Sequence, residues 1–326
     1  MRRFVYRAAA GVLACAGLVS VQAIAQSGYP NRPIRFVVPF PAGGSNDIYA
    51  RIIGERLSES MGQPVVVDNR PGAATLLGSQ LVAKAPPDGY TLMIISPSFT
   101  GSAALRRKLP FDPVRDFAPI TLMGVGSLAL VVHPSVPART TQEFVSHVQA
   151  KPGQLNFASA GAGGLGHLSM ELLMLMTRTT MTHVPYKSNP AAFTDMVGGR
   201  VQTMLPSLMS ALPHVRAGRL RMIAVTTAAR SPFAPEFPTL AESGVPGFTV
   251  DVWWGILTTA GTPPAIVDRL NTEIIRILNT PQMKDSLASE GAVPLPGPPE
   301  RLATLIREEI AKWADVVRRA KGEVEG

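Results

Sequence analysis

The chain of 326 residues contains one cysteine, 6% aromatic residues and 17% charged residues. A single cysteine excludes a disulfide scaffold and any cysteine-rich metal centre. The five histidines, His133, His147, His167, His183 and His214, form no H-E-x-x-H or other close pair, so neither metal nor cofactor is expected. No apolar run reaches the roughly 18 residues of a membrane span. Arg51, Arg56, Arg70, Arg106, Arg107, Lys108, Arg139, Arg216, Arg219, Arg221, Arg318 and Arg319 are scattered without interleaved aromatics, which argues against nucleic acid despite a net charge of +8. Gly (29) and Pro (30) together stay below the share that marks low-complexity chains. A length of this order suits about two domains.

What is present begins with an address. Arg2, Arg3 and Arg7 precede the apolar stretch 8–21, and Ala23-Ile24-Ala25 follows as an A-x-A cleavage pattern. These are the marks of a secretory leader cut after Ala25. Its removal takes away three of the arginines and Cys15. The segment Val12-Leu13-Ala14-Cys15 is only a loose lipobox, with too few apolar residues before the cysteine for a lipoprotein anchor. A mature chain free of cysteine suits an oxidising compartment outside the cytoplasm. No membrane insertion is expected of it, and it is read as a monomer.

The remainder alternates strand and helix patterns. Strands are expected at 34–40, 65–67, 90–95, 128–133, 155–159, 181–186, 201–205, 222–226 and 253–257. Ile48, Ile52, Ile53, Leu57 and Met61 recur at helical spacing, with Ser45, Asn46 and Asp47 as cap residues and Gly62 as the stop. Further helices are expected at 76–83, 167–177, 190–198, 265–278 and 300–319, and 231–246 as a Pro-rich surface connection. This order points to mostly parallel sheets covered by helices.

Two glycine loops fall at strand-to-helix junctions, Phe40-Pro41-Ala42-Gly43-Gly44-Ser45 and Ser159-Ala160-Gly161-Ala162-Gly163-Gly164. Backbone N–H groups at such junctions lack intrahelical partners and face the positive end of the helix dipole, so both loops suit an anion. One loop in each half predicts a cleft that grips a carboxylate from two sides. Gly161 to Gly166 also satisfies G-x-G-x-x-G, but the motif lies mid-chain and no acid occurs between Thr177 and Lys187, so dinucleotide binding is not expected. Ser159 sits in half of a nucleophile elbow that lacks its first glycine, Asp47 reads as a cap, and the His167/Glu171 spacing reads as a local hydrogen bond. With no nucleophile–base pair in view, no enzyme activity is expected.

The motifs Pro39-Phe40-Pro41-Ala42-Gly43-Gly44-Ser45-Asn46-Asp47, Asp68-Asn69-Arg70-Pro71-Gly72-Ala73, Ala85-Pro86-Pro87-Asp88-Gly89-Tyr90-Thr91-Leu92, Asp116-Phe117-Ala118-Pro119-Ile120, Phe157-Ala158-Ser159-Ala160-Gly161, His183-Val184-Pro185-Tyr186-Lys187 and Ala260-Gly261-Thr262-Pro263 follow one another along nearly the whole mature chain. In this order they resemble the substrate-binding proteins of tripartite tricarboxylate transporters, the Bug family. The resemblance implies a periplasmic binding protein-like (type II) α/β fold, with two domains joined by crossing strands around a ligand cleft. It sets the division at 26–125 plus 251–326 for the first domain and 126–250 for the second. It further implies a small organic carboxylate as ligand and membrane permease subunits as partner, with a sensor kinase as the alternative; the Ser159 segment leaves an exported serine hydrolase as a third reading.

Carried over by motif, the ligand-binding candidates are Ala42, Gly43, Gly44, Ser45 and Asp47 in the first loop and Ser159, Ala160 and Gly163 in the second. Ser96 and Ser98 end a strand at the same edge, and Tyr186 is placed as a wall. Lys187 is read either as added positive charge at the site or as a solvated lysine. Pro206 stands where relatives often carry an aspartate and Ser188 where they often carry glycine. The loss of that acid disfavours an amino group on the ligand and favours an uncharged tail.

Overall fold

The computed structural model describes residues 28–106 and 108–320; the expected leader and Cys15 lie outside them. The chain opens with three parallel strands, β1 (Ile34–Val38), β2 (Val65–Asn69) and β3 (Thr91–Ile95), each followed or preceded by a helix: α1 (Ser45–Met61), α2 (Leu76–Ala83) and α3 (Pro97–Leu105). Strand β4 (Phe117–Ser127) carries the first sheet onward past Ile120, and after Leu128 the chain enters a second sheet as β5 (Ala129–Val132). There follow α4 (Thr141–Ala150), β6 (Asn156–Ser159), α5 (Leu165–Thr177), β7 (Thr182–Pro185), α6 (Asn189–Val197), β8 (Thr203–Met204), α7 (Leu208–Arg216) and β9 (Arg221–Val225). The chain returns to the first sheet as β10 (Asp251–Thr259), then α8 (Pro264–Leu278), α9 (Pro281–Ser289), β11 (Ala292–Pro294) and α10 (Pro299–Ala320).

The sheets run β11-β4-β10-β3-β1-β2 and β7-β6-β8-β5-β9. Both are mixed, which corrects the expectation of mostly parallel sheets: β10 is antiparallel to β3 and β4, and β5 to β8 and β9. The cause is connectivity. A strand that leaves one lobe and another that returns must point in opposite directions.

Period-two alternation builds each lobe from both sheet faces. In the first, Ile34, Phe36 and Val38 pack under α1 and α8, whereas Val37, Met93 and Ile95 face α2, α3 and the start of α10. In the second, Leu130, Val132 and Phe157 meet α4 and α5, while Ala129, Val131 and Met204 meet α6 and α7. The buried stripe of α1 is Tyr49, Ile53, Leu57 and Met61; Ile48, expected on that face, is 45% exposed. The Pro-rich connection is partly interior, because Leu240 donates its N–H to Val225 O and lies fully buried along the β9 edge. That covering removes an open sheet edge. Helix α10 straddles both lobes, with Leu302 and Ile306 in a first-lobe core and Trp313 and Val316 in a second-lobe core.

The lobes meet at a small polar knot. Thr226, fully buried, donates its hydroxyl to Val250 O at 2.7 Å and accepts Leu128 N–H at 3.0 Å. Its own N–H reaches Leu128 O, and its carbonyl accepts Val250 N–H. One residue therefore ties the outgoing strand, the end of β9 and the returning strand. Thr226→Val keeps the shape but orphans Leu128 N–H and Val250 O, and should cost about 1–3 kcal/mol in urea unfolding. An unchanged unfolding midpoint would show that the knot carries no stability.

Candidate functional site

Three helices begin at the lobe-facing ends of the sheets. Strands β1 and β3 are parallel neighbours, so α1 and α3 start side by side at one edge. Helix α5 starts opposite them, from the second lobe. It lies against α3 closely enough that a Cβ on Gly101 would stand 3.8 Å from Leu168 and one on Gly163 would collide with Leu105.

The caps are Gly44, Ser96 and Gly164, all extended and none making a side-chain capping bond. The first intrahelical bonds are Ile48 N–H to Gly44 O and Leu168 N–H to Gly164 O. The N–H groups of residues 45–47 and 165–167 thus precede any i−4 carbonyl and present the positive end of each dipole. No side-chain hydrogen bond engages Ser45, Ser96 or Ser98 among the described residues, whose hydroxyls join these donors. Ser98 is exposed and Ser96 almost buried.

The loops are shaped from within. Asp47 is not an N-cap, as its position suggested, but a brace. One carboxylate oxygen accepts Gly43 N–H at 2.9 Å and Arg51 Nε at 3.0 Å, and the other accepts Asn69 at 2.9 Å. Burial alone would raise this carboxyl; the bonds from Arg51, Gly43 and Asn69 outweigh it and hold the group below the usual carboxylate range. Asp47 is therefore anionic but neutralised, and Gly43 N–H is already engaged.

The second loop has the same construction with different residues. Gly163 N–H donates to His167 Nδ1 at 2.9 Å, and Gly161 N–H donates to Ser159 Oγ at 3.2 Å. Ser159 Oγ also lies 2.9 Å from Gly161 O and 2.7 Å from His183 Nε2. Two lone pairs cannot face each other at 2.9 Å, so the serine proton lies on Gly161 O and His183 Nε2–H is the donor to Ser159. His183 stacks on His167 with ring centroids 3.9 Å apart and on Phe157 at 4.8 Å. Burial, and secondarily His167, pulls the His183 pKa down to about 4. The structure does create a serine–histidine pair that the sequence concealed, but its proton points the wrong way for a nucleophile, and Ser159 is 2% exposed. The His167–Glu171 hydrogen bond expected from helical spacing is not formed: the atoms stand 3.5 Å apart, and both lack a hydrogen-bond partner.

The other candidates divide. Ala42, Gly44 and Ala160 are exposed at the loop surfaces. Tyr186 turns into the packing beside α6, its hydroxyl on Asp195 at 2.9 Å, so its phenol does not wall the gap. Pro206 is buried and its carbonyl accepts Ala129 N–H. It follows Leu205, whose carbonyl would stand 2.7 Å from any Cβ on Gly166; glycine there lets the start of α5 sit against the end of β8. A cavity of about 610 Å³, lined by Arg56, Arg276 and Thr280, lies on the outer helices of the first lobe, away from these loops.

Two mixed-sheet lobes joined by two crossing strands, with α3 of one against the start of α5 of the other, are the architecture of a two-lobed solute-binding protein. The sequence matches the tripartite tricarboxylate transporter family receptors over residues 49–321, and the chain belongs to that family. Protein BugT of Bordetella pertussis is 36% identical, across 89% of this chain and 90% of BugT. The solved structure of R. palustris Rpa4515 with adipate is 36% identical with a TM-score of 0.74, covering 90% of this chain and 98% of that one. MatC from Rhodopseudomonas palustris with bound malate is 34% identical with a TM-score of 0.71, covering 88% and 99%. The family is one of periplasmic solute receptors, not enzymes.

Because folded His183 binds its proton far more weakly than an unfolded histidine, the native state binds fewer protons between pH 6.5 and about 4. Its contribution is intact above pH 6.5 and lost as the pH falls through 4, on the order of 1–2 kcal/mol after solvent screening. His183→Gln should flatten that part of the stability–pH profile, measured by denaturant unfolding between pH 7.5 and 4; an unchanged slope would remove His183 as its source.

Proposed function

We propose that the chain captures a small organic carboxylate between its lobes and delivers it to the permease subunits of a tripartite tricarboxylate-type transporter. The observation that carries this reading is the pair of glycine-capped helix starts, α1 in one lobe and α5 in the other, whose first N–H groups have no intrahelical partner, together with the free hydroxyls of Ser45, Ser96 and Ser98 at the starts of α1 and α3. Such an array stabilises an anion without a fixed cation. Ser45, Ser96, Ser98, Gly44 and Ala160 line the carboxylate end, while Gly43, Asp47, Ser159 and Gly163 hold the loops in shape. The lobes are 26–125 plus 251–326 and 126–250, with the end of α10 reaching across to the second. The segment 1–25 acts as an export leader, so the receptor works in the periplasm as a single chain.

Pro206, a residue without charge or N–H at the end of β8, sets the character of the tail. An amino group on the ligand would find no carboxylate there, so acids with an uncharged tail are preferred. The Rpa4515 and MatC structures, with adipate and malate, support a carboxylate as the common element.

Isothermal titration of the protein with adipate, benzoate, nicotinate, citrate and aspartate tests this. At least one acid without an amino group should bind ten or more times tighter than aspartate. Ala160→Glu, which sets a like charge at the loop surface, should weaken it by tenfold or more. Tight binding of aspartate with no response to the others would overturn the assignment.

A further inference from the structure

A second cavity, of about 220 Å³, lies at the hinge. Its walls come from both lobes: Val125 and Ser127 at the end of β4, Val293 in β11, and the turn after β9 that includes Thr227 and Ala229. Asp251, the first residue of β10, is paired across the sheet with Ser127 and forms part of the same wall. The glycine loops contribute nothing to it.

Asp251 is the unexplained group. Its carboxyl makes no hydrogen bond or ion pair among the described residues. The charged groups around it are already committed elsewhere. Lys312 pairs with Glu309 on α10, and Arg230 on the pocket rim pairs with Glu242 at 3.0 Å. Burial, opposed by Lys312 and reinforced by Glu309, pushes the Asp251 pKa up to about 6. Half-buried carboxylates without a partner are costly, and a cation is the natural remedy.

Two of the other polar side chains on the wall favour the same kind of guest. Ser127 gives its proton to Leu128 O at 2.6 Å, and Thr227 gives its proton to Ala229 O at 2.7 Å. Both hydroxyls then have only acceptor capacity left for a ligand. An ammonium group has three donors and no acceptor. The valines and Ala229 provide an apolar surface for a short alkyl chain.

We infer that this hinge pocket is a second binding site, taking a small primary ammonium compound with its cationic head on Asp251 and its chain against Val125 and Val293. Since each lobe supplies part of the wall, an occupant stabilises one hinge angle over others. Its binding is therefore coupled to solute capture in the cleft, and the coupling is reciprocal. The site does not depend on which acid the cleft accepts.

Butylammonium chloride is a suitable probe, titrated calorimetrically into the protein against sodium chloride of equal ionic strength. Saturable binding is expected at pH 7.5, weakened about tenfold at pH 5, where a carboxyl of pKa about 6 is mostly protonated. Asp251→Asn should abolish it, and so should Ala229→Leu, which fills the pocket from an exposed turn and leaves the carboxyl in place. Absence of saturable binding at pH 7.5, or its retention in Asp251→Asn or Ala229→Leu, would overturn the assignment.

Discussion

The antiparallel pairing of β4 with β10 is the constraint on which the rest of the molecule depends. It runs over nine paired positions, from Asp251 opposite Ser127 to Thr259 opposite Phe117. These two strands are the crossings themselves, so their register sets how the second lobe stands on the first. Shifting it would move Ser159 and Gly163 relative to Gly44 and Ser96. The Thr226 knot sits where the pairing ends and holds both crossings to β9. Bending at that point leaves each sheet intact, which is what a receptor with separable lobes requires.

The two glycine loops show one solution reached with different residues. In each, a side chain just inside the helix turns back and accepts a loop N–H: Asp47 from Gly43, His167 from Gly163. Glycine is needed at both donors because φ is +86° and +75° there. The bond removes one donor from ligand recognition and in return fixes the direction of the others. The first loop uses a carboxylate paired with Arg51 and hydrogen-bonded by Asn69, whereas the second uses an imidazole stacked on a second imidazole. An uncharged brace suits the second loop, since a further carboxylate would oppose the anion its N–H groups attract.

Much of the fold was legible in the sequence, and the limits have physical causes. Local signals located α2 at its observed bounds and α1, α5, α8 and α10 to within a residue or two, because apolar spacing and flanking Gly or Pro are properties of short windows. Strand β4 was missed: its apolar residues are interrupted by Pro119, Gly124 and Gly126, and a strand that serves two lobes has no single hydrophobic period. Helix α4 carries a capping box, Thr140 with Glu143, that marks its start in the sequence. The partners of Ser159 could not be read at all. His183 lies 24 positions away and reaches it only through the β6–β7 register, which sets His183 opposite Phe157. The chemistry of the loops was legible as composition, but the spending of Gly43 and Gly163 on internal bonds was a matter of geometry.

All three tryptophans lie on the elements that join the lobes. Trp253 and Trp254 are consecutive on β10 and face opposite cores, and Trp313 on α10 sits in the second-lobe core with Nε1–H on Glu309 and the Lys312 ammonium 4.6 Å from its ring. Indole emission follows the local field and the order of nearby charges. Each fluorophore is fully or almost fully buried, so bulk solvent contributes little background to the signal. A change of angle between the lobes alters the packing around the β10 pair or around α10, which carries Trp313 and lies in cores of both lobes. The receptor thus carries a built-in optical gauge of its own opening.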